Sequence, residues 1–352
     1  MKKKVLIFLQ SNVGGAERVT VTIGKNLDKE KFDVSFYAVG PWDCKIADFI
    51  PPEKFSGHLK QKNPFRLISD LYRCIREESP DIVFASTMYI STKILLLRFF
   101  FPRIKFIIRS ENNLCKFNLR QKFMIRLLYR RADIVVAQTD EMRAELIKKA
   151  KLLPSKVVAI QNPQDFRVID ALAQVKSPFF NDGKIRFVAS GRFVPAKGFD
   201  ILIQAFALVV KEINNAELYI VGKNSGANEE YYLQIKKQIE FLGLTQNVHC
   251  VGYQKNPYVF VKNANCFVLS SRNEGLPNVL IEALYLGTPA AATTCIPAIE
   301  RIVENGKTGF LAASENVEAL AKAMVQAVSL GRIRSNTVVD TMPLFNQLFS
   351  NF

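Results

Sequence analysis

Short apolar runs alternate with longer amphipathic stretches along the whole chain. In the first half, five runs rich in Val, Ile and Phe are separated by segments in which apolar residues recur at helical spacing. Runs that are apolar throughout are typical of parallel strands covered by helices on both faces of a sheet. The predicted strands are VLIFL (5–9), DVSFYAV (33–39), DIVFAS (81–86), KFIIRS (105–110) and DIVVAQ (133–138), and the predicted helices include 15–28, 64–78 and 116–131.

A second alternation follows a break near residue 160, where "IQNPQDF" contains the turn signal Asn-Pro. Its predicted strands are IRFVAS (185–190), AELYIVG (216–222), VHCVGY (248–253), CFVLSS (266–271) and PAAAT (289–293), and its predicted helices are 198–213, 229–243, 277–287 and 315–330. We therefore predict an α/β protein with two doubly wound parallel-sheet domains. These are residues 1–162 and 184–330, joined by a linker over 163–183 and followed by a tail over 331–352. Ligands in such sheets bind beyond the carboxyl ends of the strands.

The charge of the chain is concentrated in its first half. The net charge is +16 over 352 residues, and residues 1–160 hold 30 Lys and Arg against 16 Asp and Glu. This imbalance indicates that the first domain faces an anionic partner, such as phosphate groups, an acidic lipid surface or a nucleic acid.

The cysteines and the most apolar segments bear on cellular location. Six cysteines form no CxxC pair, and only two histidines are available to join them, so we expect reduced thiols, no structural metal and a cytoplasmic protein. The apolar run in "MKKKVLIFLQS" is too short for a signal peptide, and "ILLLRFFF" (94–101) is interrupted by Arg98. No segment is expected to cross a membrane.

The stretch "EGLPNVLIEALYLGTP" carries the most specific chemistry. It begins at Glu274 directly after a predicted strand, and Pro277 suits the first turn of a helix that contains Glu282. A helix start favours an anion such as a diphosphate, and carboxylates accept hydrogen bonds from sugar hydroxyls. The layout fits a nucleotide sugar, although either Glu taken alone is more often a solvated charge. The free amides expected at the helix start are those of Leu276, Asn278 and Val279.

Two further loops are predicted to lie at ligand-binding edges. "SGRFVPAKGFD" (190–200) places Arg192 and Lys197 after a strand, where two cations can neutralise a diphosphate or simply be solvated. "QSNVGGAERV" (10–19) opens a helix with Gly14 and Gly15, which allow close backbone approach to a ligand. The latter is not GxGxxG, so a dinucleotide oxidoreductase is disfavoured.

Region 93–131 mixes basic and large apolar residues. It resembles an amphipathic surface for an anionic membrane, and the alternative is a core-facing helix with a solvated basic face. Its basic residues from 120 onwards are Arg120, Lys122, Arg126, Arg130 and Arg131.

These pieces, in this order, resemble the retaining GT-B glycosyltransferases of family 4. Glu274 and Glu282 within "EGLPNVLIEALYLGTP" carry the resemblance most specifically, supported by "IVENGKTGFL" (302–311), "GRFVPAKG" and "GGAER". The resemblance implies that Glu274 contacts the donor sugar at the reacting centre and that Glu282 binds the ribose hydroxyls. It also implies that Arg192 and Lys197 hold the diphosphate. Catalytic roles then fall to Glu274, Arg192 and Lys197, and further donor contacts to Gly14, Gly15, Gly275, Leu276, Asn278 and Val279.

The chain departs from this family pattern in two places. The family's C-terminal helix usually crosses back to the first domain, and the tail "TVVDTMPLFNQLFSNF" has apolar spacing suited to such a crossover helix but is short for it. Many members carry a histidine after the fourth strand of the first domain, whereas "RSENN" here gives Glu111 and Asn112. We therefore expect the acceptor side of the site to involve Glu111, Asn112, Arg120, Arg126 and Arg130.

The resemblance implies a GT-B fold and a retaining transfer of a hexose or N-acetylhexosamine from a UDP-sugar, without a metal or other cofactor. The expected acceptor is a lipid-diphosphate-linked glycan at the inner face of the plasma membrane, as in bacterial surface polysaccharide assembly, and no nucleic acid is expected. Two alternatives remain open: a nucleotide-sugar epimerase on the GT-B architecture, and a non-catalytic basic protein that binds membrane or nucleic acid.

Overall fold

The computed structural model describes residues 2–12, 14–40, 44–60, 63–177, 179, 182–222 and 229–352. These residues form two compact units. The first comprises residues 1–164 together with 340–352, and the second is residues 165–339. Each unit is built around one parallel β-sheet.

The sheet of the first unit has seven strands, all parallel, in the order β3-β2-β1-β4-β5-β6-β7. The strands are β1 (Lys3–Gln10), β2 (Phe32–Val39), β3 (Phe55–Leu59), β4 (Ile82–Ala85), β5 (Lys105–Arg109), β6 (Ile134–Ala137) and β7 (Val157–Ala159). The helices that follow these strands are α1 (Gly15–Asn26), α2 (Pro64–Glu78), α3 (Met88–Leu97), α4 (Leu119–Leu128) and α5 (Asp140–Lys148). Short 3₁₀ helices occupy Lys45–Phe49, Pro52–Lys54, Arg98–Phe100, Leu114–Lys116, Tyr129–Arg131 and Pro154–Lys156.

The sheet of the second unit has six parallel strands in the order β10-β9-β8-β11-β12-β13. They are β8 (Ile185–Ser190), β9 (Ala216–Val221), β10 (Val248–Gly252), β11 (Cys266–Leu269), β12 (Ala290–Thr293) and β13 (Gly309–Ala312). The helices are α6 (Phe166–Ala173), α7 (Phe199–Glu212), α8 (Glu229–Phe241), α9 (Tyr258–Lys262), α10 (Asn278–Tyr285), α11 (Ala298–Ile302) and α12 (Val317–Val328), with a 3₁₀ helix at Pro195–Lys197.

The C-terminal helix α13 (Met342–Ser350) belongs to the first unit. Phe349 is fully buried there and makes edge contacts with the rings of Phe32 and Phe84, at centroid distances of 6.1 and 5.5 Å. The Nζ of Lys3 donates to the carbonyl of Ser350 at 3.0 Å. Apolar residues at helical spacing in the tail therefore complete the core beside β1 and β2.

The predicted strands and the α/β class are confirmed, but three strands escaped prediction. These are β3, β7 and β13, each of which lies at the edge of its sheet. Edge strands are short and half solvated, so they lack the long apolar run that marks a central strand.

Two predicted segments differ in the structure. The predicted helix over 116–131 is an α-helix only from Leu119, because Asn118 and Gln121 form a capping box that starts the helix there. The predicted linker over 163–183 contains α6, which begins after the capping side chain of Asp165 and packs Ile169 in an apolar cluster of the second unit. At 8 residues, α6 is shorter than the window of about 11–18 residues over which helical periodicity can be recognised. Pro178, Phe180 and Asn181 of that segment lie outside the described residues.

Each sheet has one point where the strand order reverses. It lies between β1 and β4 in the first unit and between β8 and β11 in the second. A crevice opens at such a point beyond the carboxyl ends of the two strands, and ligands bind there in this class of fold. Among the described helices, none is both long enough and apolar enough to cross a bilayer.

Candidate active site

In the second unit, the two loops at the reversal point bring predicted donor residues into contact. Lys197 ends the loop after β8, and Glu274 lies in the loop after the neighbouring strand β11. The Nζ of Lys197 donates to Oε1 of Glu274 at 2.6 Å, and the hydroxyl of Ser271 donates to the same oxygen at 2.6 Å. Glu274 is only 8% exposed, so this carboxylate is held by two donors in a largely dehydrated position.

Gly198 explains how the two loops come so close. It adopts a left-handed conformation with φ of 61°, and a Cβ built on it would lie 2.1 Å from the carbonyl oxygen of Ser270. The hydroxyl of Ser270 in turn donates to the carbonyl of Lys197 at 2.9 Å. Glycine is required here both by its backbone conformation and by the approach of the neighbouring loop.

Arg272, which was not predicted as a site residue, links the same two loops through its contacts. Its guanidinium binds both carboxylate oxygens of Asp200 at 2.7 Å, as a bidentate pair, and Glu315 at 2.6 Å. Burial raises the pKa of Asp200, but hydrogen bonds from Arg272 and Tyr231 hold it below its ordinary value. The contact with Asp200 raises the pKa of Arg272. The only sequence signal was that both residues flank predicted site residues.

The helix that follows Glu274 begins one residue later than predicted. Helix α10 starts at Asn278, whose amide donates to the carbonyl of Leu276 at 3.0 Å and is therefore not free, contrary to prediction. The turn made by Pro277 folds the backbone back on itself. The Leu276 side chain is buried in the core, so only its backbone can face a ligand.

Glu282 lies inside α10 and is partly exposed. The Tyr258 hydroxyl, on the first residue of α9, donates to its Oε1 at 3.4 Å. Gly275 and Val279 are partly exposed at the start of α10. Arg192 differs from the other predicted residues because its side chain is exposed and, within the described part of the chain, makes no hydrogen bond or ion pair.

In the first unit, Gly14 and Gly15 follow β1 at the reversal point. Helix α1 begins at Gly15, and a Cβ built there meets nothing within 4 Å. A Cβ on Gly14 would lie 2.4 Å from Oε2 of Glu17. The open space above Gly15 is what a loop that approaches a ligand requires.

Glu111 and Asn112 follow β5 at the same edge of the sheet. The Met88 amide, at the start of α3, donates to the Glu111 carboxylate. Burial, followed by the negative charge of Glu17, raises the pKa of Glu111 to about 7, whereas Arg109 acts in the opposite direction. Asn112 accepts a hydrogen bond from the Ser110 hydroxyl through its backbone carbonyl, at 3.3 Å.

The remaining predicted residues lie on a different feature of the first unit. Arg120 and Arg126 are on α4, and Arg130 is in the 3₁₀ turn that follows it. All three are exposed, and no described contact links their side chains to Glu111.

Both units match models of glycosyltransferase families. Residues 13–167 match the model Glycosyltransferase Family 4, and residues 170–338 match the model Glycosyl transferases group 1. An uncharacterized glycosyltransferase of Methanocaldococcus jannaschii is 34% identical over 290 residues, which cover 74% of this chain and 68% of that protein.

Two further similarities extend over nearly the whole chain. The Campylobacter jejuni N-acetylgalactosamine-N,N'-diacetylbacillosaminyl-diphospho-undecaprenol 4-alpha-N-acetylgalactosaminyltransferase is 24% identical, over 94% of this chain and 92% of its own. HepE of Anabaena, crystallised with UDP-glucose, superposes with a TM-score of 0.82 at 19% identity, over 99% of this chain and 98% of its own. The tandem match of both family models, the relative at 34% identity and two reversing parallel sheets confirm the predicted family and fold: this chain belongs to the family 4 glycosyltransferases and has the GT-B fold.

Proposed function

We propose that this glycosyltransferase transfers a hexose or an N-acetylhexosamine from a UDP-sugar, with retention of configuration and without a metal ion or other cofactor. The observation that carries the proposal is the buried contact of Lys197 and Ser271 with Glu274 at the reversal point of the second sheet. The UDP-glucose bound by the structurally similar HepE supports this class of donor.

In the proposed complex, the donor diphosphate is neutralised by Lys197 and Arg192. Arg192 is exposed and has no described partner, so it can reach a phosphate without breaking an existing ion pair. Two cations at a departing diphosphate stabilise the charge that develops on it as the bond to the sugar breaks. Glu274 is then released from Lys197 to accept hydrogen bonds from the sugar hydroxyls.

The start of α10 contributes the rest of the donor site in this proposal. Gly275 allows close approach, and the amides of Leu276 and Val279 face the diphosphate at a helix N-terminus. The Asn278 amide is already engaged, so Asn278 contacts the donor only through its side chain. Glu282, oriented by the Tyr258 hydroxyl, accepts hydrogen bonds from the ribose hydroxyls.

For the acceptor, we propose a lipid-diphosphate-linked glycan of bacterial surface polysaccharide assembly. The name of the Campylobacter relative specifies an undecaprenyl-diphosphate-linked acceptor. The excess positive charge of residues 1–160 suits an anionic diphosphate and an acidic membrane. Glu111, Asn112, Arg120, Arg126 and Arg130 are assigned to this side of the reaction.

The membrane-facing surface in this proposal is formed by α4 and the 3₁₀ turn Arg98–Phe100. Large apolar side chains there are exposed among arginines, with Leu119 at 84% and Phe99 at 85%. Apolar side chains that insert between headgroups, flanked by cations, are typical of peripheral proteins on anionic bilayers. We therefore place the enzyme at the inner face of the plasma membrane. The exposed apolar residues of this surface are Phe99, Phe100, Leu119, Phe123, Met124 and Leu127.

The first experiment is thermal stabilisation by a panel of nucleotides and nucleotide sugars, with the unchanged chain beside Glu282→Ala. A ligand at about 100 times its Kd adds roughly 2.7 kcal/mol to the free energy of unfolding. A shift specific to UDP compounds that is lost in Glu282→Ala is the expected result. No shift with any nucleotide would refute the donor class.

Membrane binding is tested by sedimentation with phosphatidylglycerol vesicles. We expect Phe123→Ser combined with Leu127→Ser to lower the bound fraction at least tenfold, and phosphatidylcholine vesicles to bind far less. Phe241→Ser is the matched control, because Phe241 is 88% exposed on α8 of the second unit. Equal losses in both variants would argue against a specific membrane surface.

A further inference from the structure

Arg109 is the most unusual buried side chain of the first unit. It is the last residue of β5 and is 1% exposed. Its Nη2 donates to Oδ1 of Asn162, but its Nε and Nη1 have no hydrogen-bond partner among the described residues. Burial lowers its pKa to about 10, so the guanidinium still carries its charge at neutral pH. A buried cation with unused donors is costly unless nearby negative charge compensates it.

Two carboxylates supply that charge from two different elements. Glu17 of α1 is 5% exposed, and Glu111, two residues beyond Arg109, is partly exposed. Both act electrostatically on Arg109, and Glu17 also acts on Glu111. Of the three charged groups, only Glu111 presents appreciable surface to solvent. In this cluster, Arg109 and Glu17 are buried and the carboxyl group of Glu111 is accessible.

A chain of side-chain hydrogen bonds fixes this cluster to the sheet. Beyond Arg109, Nδ2 of Asn162 donates to Oε1 of Gln138 at 3.0 Å, and Nε2 of Gln138 donates to the carbonyl of Ser110 at 3.0 Å. The chain thus runs across the ends of β5, β6 and β7 and returns beside Glu111. These hydrogen bonds hold the amide side chains of Asn162 and Gln138 in one orientation and link Arg109 to the backbone of Ser110.

The cluster lies where an acceptor would be bound. It comprises Arg109 and Glu111 at the carboxyl end of β5 and Glu17 in α1, the helix that follows β1 and begins with Gly15 at the reversal point. This is the ligand-binding edge of a parallel sheet. The second unit already supplies the groups proposed for the donor, so Glu111 is available to the acceptor.

We infer that Glu111 makes the hydrogen bond to the reacting hydroxyl of the acceptor, and that Arg109 and Glu17 are positioning residues that act on Glu111 through their charges. This inference rests on the proposed function. Arg109 and Glu17 are too buried to contact the acceptor themselves and act through Glu111.

The groups that face Glu111 determine how its role depends on pH. They are Glu17 from α1, the Met88 amide from α3, Arg109 from β5, Lys116 from the following turn and Tyr129 from the turn after α4. Glu17 favours the protonated form of Glu111, and Arg109 and Lys116 favour the charged form. Removing Glu17 therefore shifts the titration of Glu111 to lower pH, and removing Arg109 shifts it to higher pH.

The experiment measures UDP release from UDP-glucose and UDP-N-acetylglucosamine, with and without a short-chain polyprenyl-diphosphate-linked N-acetylhexosamine. For Glu111→Gln we expect kcat/KM for the acceptor to fall about tenfold to a hundredfold, as for one hydrogen bond to a charged group, while stabilisation by UDP is unchanged. The pH profile of this variant should lose its inflection near neutrality.

Glu17→Gln, which keeps the size of the side chain, should move that inflection to lower pH. A merely structural role would not produce this shift. Arg109→Lys should move the inflection of the pH profile less than Arg109→Met, because lysine keeps the positive charge and methionine does not. The matched control is Glu145→Gln, because Glu145 also accepts a backbone amide in this unit, that of Leu114 at 2.7 Å, without a buried arginine beside it.

The outcomes separate the inference from the function on which it rests. If the unchanged chain shows no acceptor-dependent UDP release, the proposed function and this inference fall together. If it is active and Glu111→Gln matches the control in kcat/KM and in pH profile, the inference alone is overturned.

Discussion

The ammonium of Lys197 lies 2.6 Å from a carboxylate oxygen of Glu274, although the two residues are 77 positions apart in the sequence. The cation that we propose for the diphosphate and the carboxylate that we propose for the sugar thus neutralise each other. Under the proposed function, donor binding exchanges this ion pair for contacts of Lys197 with the diphosphate and of Glu274 with the sugar.

Replacing Lys197 by Met should destabilise the second unit by about 2 kcal/mol, because Glu274 would keep its charge without its principal partner. The estimate lies below the value for a fully buried pair, since the Lys197 side chain is 22% exposed. Urea unfolding gives the measurement. In a Glu274→Gln background the same replacement should cost much less, and an equal cost in both backgrounds would disprove the coupling.

Arg272→Lys should lower the free energy of unfolding by about 1–2 kcal/mol. A lysine cannot reproduce the bidentate contact with Asp200 while also holding Glu315. The exposed Arg334, replaced by Lys in the same way, should change stability by only a few tenths of a kcal/mol. If the two variants are equally stable, the bidentate pair does not fasten the loops.

Stability should fall as pH rises from about 4.5 to about 7, because of Glu111. Its pKa is raised from an ordinary 4.5 to about 7, so in this window the folded chain binds a proton that the unfolded chain has released. The contribution of Glu111 to the free energy of unfolding is complete below pH 4.5 and is lost as the pH passes 7. The free energy of unfolding changes by about 3 kcal/mol over this range. Unfolding measured between pH 4 and 8 should therefore show a shallower slope for Glu111→Gln than for the control Glu145→Gln.

Gly15→Ala should leave the fold intact and impair transfer. Open space surrounds the position, and alanine is a better helix former than glycine, so stability should be unchanged or rise by about 0.5–1 kcal/mol. Because the family resemblance implies that Gly15 contacts the donor, an added methyl group should lower kcat/KM at least tenfold. Gly24→Ala is the structural counterpart, since its Cβ would lie 2.4 Å from the Phe36 ring and should destabilise the chain. Full activity in Gly15→Ala would show that Gly15 does not contact the donor.

The sequence predicted the sheets well where strands are central and apolar on both faces. It also placed Lys197 and Glu274 on one sheet edge, since loops that follow neighbouring parallel strands must meet there. It could not predict that the two side chains touch, because that depends on the conformation of Gly198 and its approach to Ser270.

Arg109 shows why other parts of the site were missed. In the sequence it looks like the polar end of a strand. Its buried guanidinium donates to Asn162, which lies 53 positions further along the chain. The pair of Arg272 and Asp200 is similar, because the two residues are 72 positions apart and each looks like an ordinary loop charge in the sequence. Long-range pairing of polar side chains leaves no local pattern in a sequence.

The return of α13 to the first unit means that the second unit is, in topological terms, an insertion within the first. During synthesis, residues 1–164 emerge long before Phe345 and Phe349, which complete their core. Until then, apolar surface of the first sheet stays uncovered, whereas residues 165–339 are already complete as one continuous segment. The second unit is therefore expected to mature first, against the usual N-terminal-first order of domain folding.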